Sequence, residues 1–263
     1  MSDLIKVNIV IYKGLQKTFQ QMNSGSQHAY LKILHAQEHF FIIHPELQPI
    51  FIEESKELLV AALRKFEYAV MVGEQMHSIR ELRSLRVNPY LKDCYSIPPE
   101  SQNEFPFLDE LLFDQALFQW RSFLDFYMKY LVYFCSNKYE VNMNVGAFNR
   151  DLDNSEQNSK SEKVHDYFHE NVFNEESQNC NWGNTLRCYR DKTAHNKLIT
   201  LKITEVKTRT GQVVLEPTTQ GQEISYFVQE TFENRAFKML TELMPILYDV
   251  EWVTGPFREN IYT

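Results

Sequence analysis

Residues 109–137 read DELLFDQALFQWRSFLDFYMKYLVYFCSN. Leu112, Ala116, Leu117, Trp120, Phe123, Leu124, Tyr127, Tyr130, Leu131 and Phe134 recur there at three- and four-residue steps. That spacing gathers them on one wide face of a helix about eight turns long. A helix this apolar belongs at the centre of a bundle or of a subunit interface.

Outward from it, the chain stays mostly helical. Upstream, Ile52–Leu85 repeats Leu58, Leu59, Ala62, Leu63, Phe66, Ala69 and Val70 at helical steps, with Gly73 a point of expected break or bend. Residues 27–43 read as another helix, with Tyr30, Leu31, Leu34 and Phe41 among its apolar positions, stopped by Pro45. Asn23-Ser24-Gly25-Ser26 is a turn signal, and the β-branched run within residues 4–22 fits strand or helix equally. Residues 86–106 carry Pro89, Pro98, Pro99 and Pro106 without periodicity, so the main boundary falls there. This gives an N-terminal, mainly helical region over 1–100 and a second region over 101–263.

Downstream, residues 149–163 are nearly all polar and read as an exposed loop, followed by a short helix over Val164–Phe173 and a polar segment, 174–183. A further helical run then ends near residue 196. Leu198–Val206 alternates with period two, Thr208–Gly211 is turn-like, and Gln212–Glu216 follows, which predicts a β-hairpin at about 198–216. The last element, from about Glu223 to Val250, is helical, with a kink or early stop expected at Pro245.

Composition agrees with a helical class. There are 8 glycines in 263 residues against 14 tyrosines and 19 phenylalanines, which favours long helices packed through aromatics over a turn-rich β fold. No apolar run reaches the ~20 residues that span a bilayer, the first residues lack secretory-signal character, and the four cysteines show no zinc-type pairing. Reduced thiols in a cytoplasmic protein, with no membrane partner, are the expectation. A net charge of −8 argues against a general nucleic-acid coat, so RNA binding has to rest on a local cleft.

The helical run before the hairpin carries the chemistry: Leu186-Arg187-Cys188-Tyr189-Arg190-Asp191-Lys192-Thr193-Ala194-His195-Asn196. A histidine with an ordinary pKa of ~6.5 works as acid or base at neutral pH, and a guanidinium grips a phosphate bidentately. Five residues on a regular helix turn by a net of about 140°, so Arg190 and His195 do not share one face. They meet one phosphate only if the helix end frays or if two copies face each other. On residue types alone, the pair is equally a surface arginine beside a helix-terminal histidine. Asp191 is readable as an orienting or a solvated carboxylate, and Lys192 and Asn196 as phosphate contacts or structural residues.

Arg190-Asp191-Lys192-Thr193-Ala194-His195 resembles the R-x4–6-H motif of the HEPN superfamily, over a region of roughly 105–250. The resemblance implies a HEPN-type helical bundle, here extended by an N-terminal helical region and one β-hairpin. It implies a metal-independent endoribonuclease without cofactors, acting as a toxin or antiphage defence effector. In that role His195 is the general acid/base and Arg190 the phosphate-binding residue, in a composite cleft at a homodimer interface. Asp191, Lys192 and Asn196 support them, and RNA, a second copy and an antitoxin or regulatory protein are the implied partners. The alternative is a non-catalytic homodimeric binding or regulatory module of the same fold.

Other constellations are weaker. His35-Ala36-Gln37-Glu38-His39 matches the H-x-x-E-H pattern of inverted zinc peptidases and puts both imidazoles on one helical face. His165 and His169 repeat that spacing just before the motif helix. Neither G-x-G-x-x-G, G-x-x-x-x-G-K-[ST] nor G-x-S-x-G occurs, which excludes nucleotide-loop and serine-hydrolase readings.

Overall fold

The apolar face of residues 109–137 is the spine of the molecule. A computed structural model describes residues 33–86, 105–136, 145–153, 159–177, 181–194, 201–207, 213–219 and 222–248. In chain order these form α1 (33–43), α2 (Pro49–Arg86), α3 (Phe105–Ser136), α4 (Val145–Asp153), α5 (Ser159–Asn171) and α6 (Trp182–Ala194). Strands β1 (Lys202–Lys207), β2 (Val213–Thr219) and β3 (Gln222–Glu223) follow, and then α7 (Ile224–Val228), a π turn (Gln229–Glu233) and α8 (Asn234–Tyr248). The described chain is mostly helical. No described helix is long and apolar enough to cross a membrane.

Helix α3 packs against α2 along much of its length and also meets α4, α5 and α6. Phe113, Ala116, Leu117, Trp120, Phe123, Leu124, Tyr127, Tyr130 and Leu131 are all buried, as the periodicity requires. Each large side chain of this kind stabilises the fold by about 1.5–3 kcal/mol relative to exposure. The α2–α3 seam is aromatic: the Phe66 ring meets Trp120 edge-on at 5.5 Å and Phe123 at 5.3 Å. At the far end of α3, Phe134 meets Phe40 of α1 at 5.3 Å and Tyr248 of α8 at 5.6 Å. A polar core accompanies these rings. Gln37 donates to the Ser55 carbonyl and to the Tyr130 hydroxyl, and the Tyr130 and Tyr248 hydroxyls hydrogen-bond each other. One cluster of buried side chains thus runs from Ile33 to Tyr248, across the division drawn near residue 100.

Several boundaries differ from the sequence reading. Pro106 is not part of the connection but lies in the first turn of α3, where proline lacks only an N–H that has no helical partner. Gly73 neither breaks nor bends α2 into separate helices; the helix runs unbroken through it. The polar stretch 149–163 is not simply an exposed loop. α4 reaches into it as far as Asp153 and α5 starts at Ser159, because Ala147, Phe148 and Leu152 bury one side of α4 and Ser161 one side of α5. Helix α8 continues through Pro245 for three more residues, so the proline does not stop it early. Its end is held by Lys160, whose Nζ donates to the Leu247 carbonyl at 2.9 Å.

The predicted hairpin is present. β1 and β2 pair antiparallel from Lys202↔Thr218 to Lys207↔Val213, and β3 adds two residues on the other edge of β2. The readings of residues 4–22 and 23–26, most of the proline-rich connection, and the hairpin turn at 208–211 lie outside the described residues.

Candidate functional site

Helix α6 is seated on its neighbours by three inward side chains, Trp182, Leu186 and Tyr189, all buried. Asn181 opens it: its carbonyl accepts from the Thr185 N–H at 3.0 Å, and its side-chain oxygen accepts from Asn184 at 2.7 Å. Gly183 lets the first turn lie on the end of α5. A Cβ there would fall 2.4 Å from Phe173 Cε1 and 2.8 Å from Val172 Cγ1, while the Gly183 N–H donates to the Val172 carbonyl at 2.9 Å. Midway along, the Tyr189 ring lies edge-on to Phe113 of α3 at 5.9 Å and near Phe227 of α7 at 5.6 Å. Its hydroxyl hydrogen-bonds Thr219 Oγ1 at 2.9 Å, which ties α6 to the hairpin.

With that side fixed, Arg187, Cys188 and Arg190 face outward. The Asp191 carboxylate sits between two guanidiniums, 3.5 Å from Arg190 and 3.9 Å from Arg187. All three side chains are about half exposed, so these pairs are screened and hold the arginines weakly. Lys192 lies in the last turn of α6, and its side chain is outside the described residues, as are His195 and Asn196. Of the five residues singled out in the sequence, Arg190 and Asp191 are therefore placed side by side.

Across from them, α3 supplies two charged residues that the sequence did not mark. Arg121 reaches Asp125 one turn later at 2.9 Å, and its side chain is 14% exposed. Burial pushes the Asp125 carboxyl above its ordinary range, and the charges of Arg121, Arg190 and Lys129 only partly offset this. The close Arg121 contact does not win because both partners are largely withdrawn from water. The field of Arg190 at Asp125 ties the motif helix electrostatically to the spine. No pattern in the sequence announces that meeting, since it is made between helices far apart in the chain.

No family model, curated protein or solved structure matches the chain.

The other constellations come apart as ligand sets. His35 and His39 are exposed, and His35 lies 3.9 Å from Glu38 on the same helix. His165 is 3.8 Å from its neighbour Asp166, and His169 is exposed. Among the described residues, no three His, Cys, Asp or Glu side chains converge to hold a metal ion. A second polar group, also unforeseen, lines the seam between α2 and the segment from Glu223 to Glu233. Arg80 lies 3.7 Å from Glu223 and 4.4 Å from the Tyr226 ring centroid, and His77 is edge-on to the same ring.

Proposed function

We propose that this protein is a metal-independent endoribonuclease with a HEPN-type helical bundle, serving as a toxin or antiphage defence effector. The observation that carries the reading is the placement of Arg190 and Asp191. They stand together on the outward side of a helix whose other side is locked into the core. Arg190 binds the scissile phosphate and stabilises the charge that develops on it. His195 takes the proton from the ribose 2′-hydroxyl as that oxygen attacks phosphorus and returns a proton to the departing 5′-oxygen. The products are a 2′,3′-cyclic phosphate and a 5′-hydroxyl. Asp191 orients the arginines, and Lys192 and Asn196 add contacts to the backbone of the RNA.

On a regular helix Arg190 and His195 stand about 140° apart, and a facing second copy is how one phosphate would meet both. Leu111 and Phe118 of α3 are 49% and 51% exposed. Seven residues are 20° short of two helical turns, so Leu111, Phe118 and Asp125 form one stripe. Asp125 is the residue on which the charge of Arg190 acts. A two-fold partner covering the apolar part of this stripe is the arrangement the reading requires.

A second reading is a homodimeric module of the same fold that binds RNA, a nucleotide or a protein without turnover. The Asp191 carboxylate 3.5 Å from Arg190 favours it, because it competes with a bound phosphate. Incubation of mixed cellular RNA in EDTA with the wild type and with His195→Ala separates the two. Cleavage by the wild type alone is expected. Intact RNA with both folded dimers selects the binding module, and cleavage only with magnesium contradicts the mechanism.

A further inference from the structure

The residue just before the motif arginine is gripped from two elements. The Tyr189 hydroxyl hydrogen-bonds Thr219 Oγ1 of β2 at 2.9 Å, and its ring lies 5.6 Å from that of Phe227 in α7. Thr219 and Phe227 stand four residues to either side of Glu223. Glu223 is paired in β3 opposite Thr218 of β2, and it is also the N-cap of α7. Both grips on Tyr189 therefore issue from the corner where Glu223 sits.

The Glu223 side chain is built into that corner. It is 5% exposed, and no step of the proposed reaction uses it. Its two oxygens accept from the Ser225 and Tyr226 N–H groups at 3.0 and 3.1 Å, and from the Ser225 hydroxyl. Those N–H groups are the ones a helix start leaves without a helical partner. The same carboxylate lies 3.7 Å from Arg80 Nε of α2, and the Arg80 guanidinium also covers the Tyr226 ring at 4.4 Å. A carboxylate this deep is costly unless its partners are in place, so they fix where the corner stands on α2. Helix α2 is itself fixed by its packing along α3.

We propose, resting on the ribonuclease reading, that Glu223 is a positioning residue for Arg190. With Arg80 it pins the β3–α7 corner to α2, and the corner sets Tyr189 and with it the adjacent arginine. Arg190 is about half exposed, so the place of its guanidinium follows from how the helix beneath it is held. A shift of about 1 Å in a group that meets the reacting phosphate costs about a hundredfold in rate.

The test uses the full chain. Glu223→Ala removes both the cap and the ion pair, Glu223→Asp restores a capping carboxylate, and Arg80→Met keeps a long stem beside Tyr226 without the charge. Tyr248→Phe is the control, because it removes a buried hydrogen bond at the far end of α3. Amide hydrogen exchange read by NMR comes first and needs no RNA. Relative to α3 amides, those of Leu186–Asp191 should exchange about tenfold faster in Glu223→Ala, the shift that loss of a helix cap gives. Glu223→Asp should recover most of this, Arg80→Met should show a smaller rise, and Tyr248→Phe should match the wild type. In RNA cleavage, Glu223→Ala should lower kcat about ten- to a hundredfold with far less change in KM, while Tyr248→Phe keeps both. Should Glu223→Ala fail to fold, Arg80→Met and Glu223→Asp carry the same readouts. Unchanged exchange in α6, an equal change in Tyr248→Phe, or an undiminished kcat overturns the proposal. Faster α6 exchange in variants of a wild type that cuts no RNA supports the anchoring and contradicts the ribonuclease reading instead.

Discussion

Replacement of Gly183 by alanine tests how the motif helix is held. The added methyl meets Phe173 Cε1 at 2.4 Å, Phe173 Cδ1 at 2.8 Å and Val172 Cγ1 at 2.8 Å, all shorter than real carbon contacts. The half-exposed Phe173 ring can swing away, but Val172 is buried and cannot. Overpacking of this kind costs about 1–3 kcal/mol. Alanine gains up to ~1 kcal/mol over glycine in a helix interior, and less in a first turn. The net expectation is a loss of about 1–2 kcal/mol. For a chain of this size that lowers Tm by about 2–4 °C for each kcal/mol. Urea unfolding followed by circular dichroism measures it, with an unchanged m-value showing that the native state stays compact. Addition of Phe173→Ala should recover part of the loss by clearing one of the two obstacles. A Gly183→Ala protein as stable as wild type refutes the claim that the close approach of α5 and α6 requires glycine.

Two further outcomes follow from the core and from the exposed stripe. Tyr130→Phe takes a partner from both Tyr248 and Gln37 and should cost about 1–3 kcal/mol, Tyr248→Phe leaves Tyr130 its Gln37 contact and should cost about 1 kcal/mol, and the double variant should cost less than the sum. Additive losses in a double-mutant cycle would show that the two hydroxyls act independently. The wild type should sediment as a dimer and Phe118→Asp as a folded monomer, because a carboxylate on this 51% exposed ring position cannot be covered by an apolar partner face. A dimer unaffected by the substitution places the subunit interface elsewhere.

The elements legible in the sequence were those with long, regular burial. Leu117, Trp120, Leu124, Tyr127 and Leu131 repeat strictly because α3 is covered on several sides, and the same holds for Leu59, Ala62, Phe66 and Ala69 of α2. Alternation in residues 198–206 revealed the first strand for a comparable reason, since period two has no helical counterpart. Helix α4 escaped notice because its three buried apolar side chains, Ala147, Phe148 and Leu152, are scattered among polar residues. The π turn left no signature, as its extra residue is absorbed by tertiary packing around Phe232.

The site was legible only in its local part. Arg190 and Asp191 are adjacent, so spacing alone could bring them together. Arg121 and Asp125 are one turn apart on α3, but the charge of Arg190 acts on Asp125 from a helix many residues away, and no periodicity encodes which charges will face each other. Composition predicted an acidic chain with a local site at most. The influence of Arg190 on Asp125, by contrast, is set by tertiary packing.

End-group analysis of RNA fragments produced in EDTA tests the central claim most directly. The account predicts 2′,3′-cyclic phosphate and 5′-hydroxyl ends from the wild type, and no fragments from Arg190→Ala or His195→Ala proteins that remain folded. Fragments with 5′-phosphate ends, or cleavage that survives both substitutions, would contradict it.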